Sequence, residues 1–339
     1  MSSGSTEARA SRRRGRWLPW LTGAALLAAV CYAAVHWSDA EQAARIAERA
    51  EPWWLLVAVV LQLLTYVAQG RIWGAIGAAA KFSFARGELA RLSVAKLFVD
   101  QALPMAGLGG TAAVSKYLEE RGLAKPAVFA GVVINVASYF AVYVLLLVAA
   151  RLMFPLEGAA RAAALGTAGL FIAGSLLLIV MMLVVPGRTG ILARLTPRRG
   201  PLARLSAAAA NADIALLHDP GLLAVAAAWQ AAIVLCDAAT MLVLLRALGS
   251  EVAPASVFAS FMISNLFRSM GILPGGLGTF EASSVFTLQL ASVPLAAALS
   301  ATLLFRGLSF WLPMIPGAWL SRRMFRSRAP EPSTSSPRA

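Results

Sequence analysis

The chain has 339 residues, 59% of them hydrophobic and only 14% charged, with a mean hydropathy of +0.72. That composition excludes a soluble globular domain and indicates an integral membrane protein. Lys and Arg total 30 against 16 Asp and Glu, a formal net charge of +14, but the excess lies beside apolar runs and not over a soluble face, which argues against nucleic acid as a partner and for anionic lipid headgroups.

Residues 1–16 form a basic tail with Arg12-Arg13-Arg14. The apolar run that follows, Trp17–Trp37, is longer than a signal-peptide core, and Val30 before Cys31 suits a lipoprotein cleavage site poorly. An uncleaved first span is therefore expected. Five further runs are long enough to cross a hydrocarbon core of about 30 Å: Trp53–Gln69, Ala127–Ala150, Ala162–Pro186, Leu222–Leu248 and Leu295–Leu320. The periodicity is helical, with none of the short alternating strands of a barrel. Cys31 and Cys236 both fall within these runs and offer no disulfide framework or metal pair.

Two segments between the runs break at glycine and proline. The first reads Leu103-Pro104-Met105-Ala106-Gly107-Leu108-Gly109-Gly110-Thr111, the second Leu273-Pro274-Gly275-Gly276-Leu277-Gly278-Thr279. Arginines fix how they must lie. The N-terminal tail, the segment 188–218 with Arg188, Arg194, Arg198, Arg199 and Arg204, and the end of the chain with Arg322, Arg323, Arg326 and Arg328 are all placed in the cytoplasm by the positive-inside rule. The second span then ends inside and the third begins inside, so 82–123 enters and leaves from the cytoplasmic face. By the same count 256–292 enters and leaves from the external face. The expected fold is all-α: a polytopic helical membrane protein with about six full spans and two oppositely oriented re-entrant helical hairpins, an inverted repeat. The expected organisation is one membrane domain over 17–325. Broken helices in paired positions point to a transporter's binding site. Segment 188–218 reads as a cytoplasmic amphipathic element, and 326–339, rich in Pro and Ser, as a disordered tail.

Charged residues within membrane segments are costly, so they mark candidate sites. Asp100 follows Lys96 at helical i, i+4 spacing before the first break, and Arg268, Glu281 and Arg306 gather around the second. Asp237 lies mid-span and shares a face with Gln230. Gln62, Tyr66 and Gln69 form a polar stripe on the second span, and Asn135, Ser138 and Tyr139 a patch on the third. Glu281 and Arg306 are expected to pair. The turns themselves, Gly109, Gly110 and Thr111 in one and Pro274, Gly276, Gly278 and Thr279 in the other, each precede a helix. A helix start with glycine before it and Thr as cap would present free N–H groups to a phosphate or carboxylate. Glu281 could itself be the resident anion at the second turn.

Enzyme signatures are lacking. The histidines are His36 and His218, far apart in the chain, and no nucleophile triad, metal-spaced His/Cys set or phosphate loop occurs. Neither a catalytic role nor a cofactor is expected.

The runs Phe98-Val99-Asp100-Gln101-Ala102-Leu103-Pro104 with Gly109-Gly110, Leu273-Pro274-Gly275-Gly276-Leu277-Gly278-Thr279-Phe280-Glu281-Ala282, and Leu304-Phe305-Arg306 with Pro313 to Gly317 resemble the flippase-like membrane domain of bacterial lysylphosphatidylglycerol synthases. The resemblance covers roughly residues 15–325. It departs from the family at Asp100, where Asn is common, and in the third span, where Asn135 to Tyr139 replace an acidic–basic pair. It implies a stand-alone member without the aminoacyl-transferase domain, in a bacterial inner membrane with both termini cytoplasmic. That member would move a phospholipid or lipid-linked intermediate between leaflets. A small-anion transporter, a non-transporting partner of a lipid-synthesis enzyme and a membrane-embedded transferase are the alternatives.

Overall fold

Glu51-Pro52 and Asp219-Pro220 open two long helices in the same way, with proline in the first turn where no N–H is needed. The computed structural model describes residues 51–102, 108–153, 158–184, 209–270 and 274–325. The basic tail, the first span, Pro104, most of 188–218 and the 326–339 tail lie outside these. The first half contains α1 (Pro52–Ala79), α2 (Glu88–Ala102), α3 (Leu108–Glu120) and α4 (Lys125–Met153). A connecting helix α5 (Gly158–Val184) and a single turn α6 (Ile214–Leu217) follow. The second half contains α7 (Pro220–Ala247), α8 (Pro254–Met270), α9 (Thr279–Leu290) and α10 (Leu295–Arg306), which runs through a π-turn at Gly307–Trp311 into α11 (Leu312–Phe325).

The chain is an all-α polytopic membrane protein. Among the described residues, α1, α4, α7 and the α10–α11 rod are long and apolar enough to cross a bilayer. These match four of the expected spans, and α5 occupies the fifth, with a shorter apolar stretch at Ala168–Val184. The arms α2, α3, α8 and α9 have 15, 13, 17 and 12 residues. At 1.5 Å per residue each is about 18–26 Å long, too short to cross alone. They pack as two hairpins, α2 on α3 and α8 on α9.

The halves repeat at the level of their caps. Lys81 (φ 56°) ends α1 and Gly249 (φ 73°) ends α7. In both, the next residue's N–H reaches back five positions: Phe82 to Gly77 O at 2.8 Å and Ser250 to Leu245 O at 2.9 Å. Gly122 and Ser292 do the same after α3 and α9, with Leu123 N–H on Leu118 O at 3.0 Å and Val293 N–H on Leu288 O at 3.1 Å. The two copies are also inverted. Glu51 N–H, at the start of α1, donates to Ala247 O at the end of α7, while Gln62 pairs with Asp237 and Thr240. Numbers rise along one helix as they fall along the other, so α1 and α7 are antiparallel.

Each hairpin leans on the other half. α2 packs along α11, and α8 along α4. Gly317 permits the first contact: a β-carbon there would press on the Phe98 side chain at 2.6 Å and on Val94 O at 3.0 Å. The second is fastened by Tyr143, whose hydroxyl donates to Met262 O at 2.8 Å. The apolar core accordingly forms two clusters. One surrounds α8 and α9 with Tyr143, Leu244, Phe261 and Phe305, and the other surrounds α2 and α3 with Trp73, Leu118, Ile134 and Leu217. Large apolar side chains face outward on α1, α5 and α11, such as Leu63, Leu177 and Ile315, where a bilayer would cover them.

Candidate functional site

At the first hairpin, Lys96 and Asp100 sit one helical turn apart and pair at 2.7 Å. The other oxygen of Asp100 accepts the Gly110 N–H at 2.7 Å, closing the start of α3. Gly110 is required by this approach, since a β-carbon would collide with Lys96 O and the Asp100 carboxylate. At the second hairpin, Glu281 plays the same part. One oxygen accepts the Gly278 N–H at 2.7 Å and the other the Arg306 Nε–H at 2.6 Å. Arg306 also donates to Gly275 O at 3.1 Å, and its guanidinium stacks 4.4 Å from the Phe310 ring centroid. Both hairpin turns are thus locked by a carboxylate bridging a backbone amide and a cation. The expected Glu281–Arg306 pair is present.

Two expectations change. Thr is not the cap in either turn: Thr111 lies within α3, and Thr279 is the first residue of α9, its hydroxyl donating to Gly276 O at 3.0 Å. Gly278 holds the cap position, because φ of 83° there suits glycine. Nor are the helix-start amides of Gly110 and Gly278 free, since the two carboxylates already hold them. The carboxylates neutralise the positive end of each return helix, so these two amides are not open to an external anion.

The other charged residue of the second hairpin is Arg268. This side chain, half-buried near the end of α8, rests its stem against the backbone of Gly276. It has no ion pair with any carboxylate of the described residues, yet lies within electrostatic reach of Asp237, Arg306 and Tyr143. Asp237 on α7 accepts the Gln62 Nε2–H at 2.9 Å. Its closest partner is thus Gln62 of α1, with Arg268 acting at longer range. Gln69 and Gln230 both reach Asn135, at 3.5 Å and 3.4 Å between side chains. The polar stripes of α1, α4 and α7 therefore converge on one interior.

A third set of contacts has no counterpart in the sequence reading. The π-turn Gly307–Trp311 sits beside the hairpin tips, and Pro313 has no N–H to give Ser309 O. Gln101 Nε2–H donates to that carbonyl at 3.1 Å, and Tyr66 hydroxyl reaches Leu308 O at 3.4 Å. The Pro274–Gly276 turn packs against α2, so the second hairpin's tip meets the first hairpin. Asp100, Gly109, Gly110 and Thr111 lie on the first hairpin; Arg268, Pro274, Gly276, Gly278, Thr279 and Glu281 lie on the second. Arg306 joins the second group from α10, while Asp237 on α7 is held by Gln62 and reaches Arg268 only electrostatically. Among the described residues no group of His, Cys, Asp and Glu could hold a metal ion.

The sequence profile of the family described as lysylphosphatidylglycerol synthase TM region matches residues 20–317, and the chain belongs to that family. No curated protein matches the chain. A membrane domain concerned with lipids is what the family assignment and the helical architecture establish together.

Proposed function

We propose that this protein translocates an amphiphilic lipid, a phospholipid or a lipid-linked intermediate, between the leaflets of a bacterial inner membrane. The observation that carries the reading is Arg268: among the described residues a cation without an ion-pair partner, resting on the turn of the second hairpin where that turn meets the first, and within electrostatic reach of Asp237. In this reading both hairpins are re-entrant and open alternately to the two faces, as inverted repeats allow. The headgroup's phosphate meets Arg268 and its cationic part, where it has one, meets Asp237. In this reading the acyl chains stay in the bilayer while the headgroup enters between the two halves. The basic end, with Lys81, Arg86, Lys125 and Arg322, faces the cytoplasm. No covalent step is assigned; the sequence carries no phosphate-loop motif, and in this reading movement follows a lipid gradient or an ion.

The test is a dithionite protection assay in proteoliposomes carrying a tail-labelled fluorescent phosphatidylglycerol. The wild-type chain should accelerate loss of the inner-leaflet signal, and Arg268→Gln should return it to the empty-vesicle rate while eluting normally in gel filtration. A folded wild-type protein no faster than empty vesicles overturns the reading. Acceleration that Arg268→Gln leaves intact removes Arg268 from it.

A further inference from the structure

Away from the centre, Arg91 near the start of α2 and Arg323 near the end of α11 open onto one crevice of about 360 Å³, completed by Trp319, Leu320 and Met324. The Arg323 guanidinium carbon lies 3.9 Å from the Trp319 ring centroid, which holds the cation in place with its N–H edge free. Among the described residues no carboxylate is in ion-pair contact with Arg91, Arg322 or Arg323. The nearest acid in sequence, Glu88, is already engaged by Tyr117 hydroxyl at 2.8 Å, Arg121 at 3.0 Å and the Ala85 N–H at 2.8 Å. Among the described residues the crevice is therefore cationic and without a counter-ion.

It also continues into an apolar track. Trp311, Ile315 and Trp319 follow one another at four-residue spacing and are 58%, 79% and 54% exposed. They form one outward stripe about 12 Å long that ends at the arginines. A soluble anion needs no such track, whereas a lipid fits both parts. The arrangement belongs to one end of the molecule only. Ten residues beyond the Lys81 cap stands Arg91; ten beyond the matching Gly249 cap stands Ala259, which is buried.

We infer that this crevice binds the headgroup phosphate of an anionic phospholipid, with an acyl chain lying along Trp311, Ile315 and Trp319, as a site distinct from the central one. The bound lipid bridges α2 of the first hairpin and α11 of the second half, so it clamps the contact on which the hairpin's position depends. The inference stands whether or not the protein translocates lipid.

Native mass spectrometry of the full chain in detergent, with equal amounts of phosphatidylglycerol and phosphatidylcholine, tests it. The preference for phosphatidylglycerol should fall about five-fold for Arg91→Gln or Arg323→Gln alone and about twenty-fold or more for both. The double lysine variant should keep most of it, and Arg246→Gln at the opposite end should leave it unchanged. Glycerol phosphate should not displace the lipid. An unchanged preference in a double glutamine variant that elutes as wild type overturns the inference, as does displacement by glycerol phosphate at matched concentration. A second measurement needs no arginine variant. Acyl-brominated phosphatidylglycerol should quench tryptophan fluorescence more than the phosphatidylcholine analogue, and Trp319→Phe should remove the difference; equal quenching by the two lipids also overturns it.

Discussion

Arg306 is held from three directions: Glu281 on α9, Gly275 O in the turn and the Phe310 face in the π-turn. The side chain is 4% exposed, so removing its counter-ion leaves a buried charge unpaired. Glu281→Gln should cost about 3 kcal/mol in thermal unfolding in detergent. Arg306→Lys keeps the charge but gives up the planar fork, and should cost about 1–2 kcal/mol. A silent Glu281→Gln in both unfolding and transport would show that the pair does not hold the hairpin. Asp237 asks a different question. Asp237→Asn leaves an oxygen for the Gln62 donor, so unfolding should shift by no more than about 1 kcal/mol while lipid transport falls sharply; unchanged transport would remove the carboxylate from the site. Both ions were legible in the sequence because charge in an apolar run needs a partner. Which partner was legible only for Glu281–Arg306, where the acid opens α9 and the base closes α10, the next helix. Gln62 and Asp237 are brought together by packing of α1 on α7, and nothing local in either run reveals it. A signal did exist: Gln62 and Gln230 each stand ten residues beyond the helix-opening prolines Pro52 and Pro220, a trace of the repeat in residue type.

The hairpins are where backbone and side-chain requirements can be separated. Gly276 and Gly278 have φ of 66° and 83°, so an alanine at either pays about 1–2 kcal/mol for the left-handed region. Their surroundings differ. A β-carbon at Gly276 would run into the Arg268 stem and backbone, whereas at Gly278 nothing lies within 4 Å. Gly276→Ala should therefore lose more stability than Gly278→Ala, and, compared where both are folded, far more transport, because it displaces Arg268. Equal transport loss in two equally folded variants would mean that backbone geometry alone matters at this turn. That each segment is a pair of short helices was readable from the glycine and proline that break it. Their caps were not. Threonine is a good N-cap in isolation, but an acid two residues after it can reach the Gly278 amide, and glycine supplies the positive φ. The π-turn also escaped, although Pro313 announces a carbonyl with no helical donor. What fills that vacancy, Gln101, comes from the other half of the chain.

At the scale of the whole molecule, inversion makes the strongest demand. The caps at Lys81 and Gly122 close the ends of α1 and α3, and those at Gly249 and Ser292 close α7 and α9. With α1 and α7 antiparallel, the first two caps must lie at one end of the bundle and the second two at the other. The first end carries Lys81, Arg86, Arg91, Lys116, Arg121, Lys125, Arg322 and Arg323 against Glu88, Glu119, Glu120, Asp213 and Asp219, while the second has Arg151 and Arg246 against Glu51 and Glu251. A cysteine placed by each cap therefore reports both inversion and orientation. In a chain with Cys31 and Cys236 changed to serine, Ser83→Cys and Glu120→Cys should resist a membrane-impermeant maleimide in intact cells and label only after permeabilisation. Glu251→Cys and Ser292→Cys should label in intact cells. All four positions are exposed in the folded chain, so lack of labelling before permeabilisation reports the membrane and not burial. Labelling of Ser83 and Glu120 from opposite sides would mean that the first hairpin crosses fully. Labelling of all four from one side would break the inverted arrangement, and with it the alternating access that the proposed lipid movement requires. The reverse pattern, with the basic end outside, would keep the inversion and overturn the orientation drawn from the arginines.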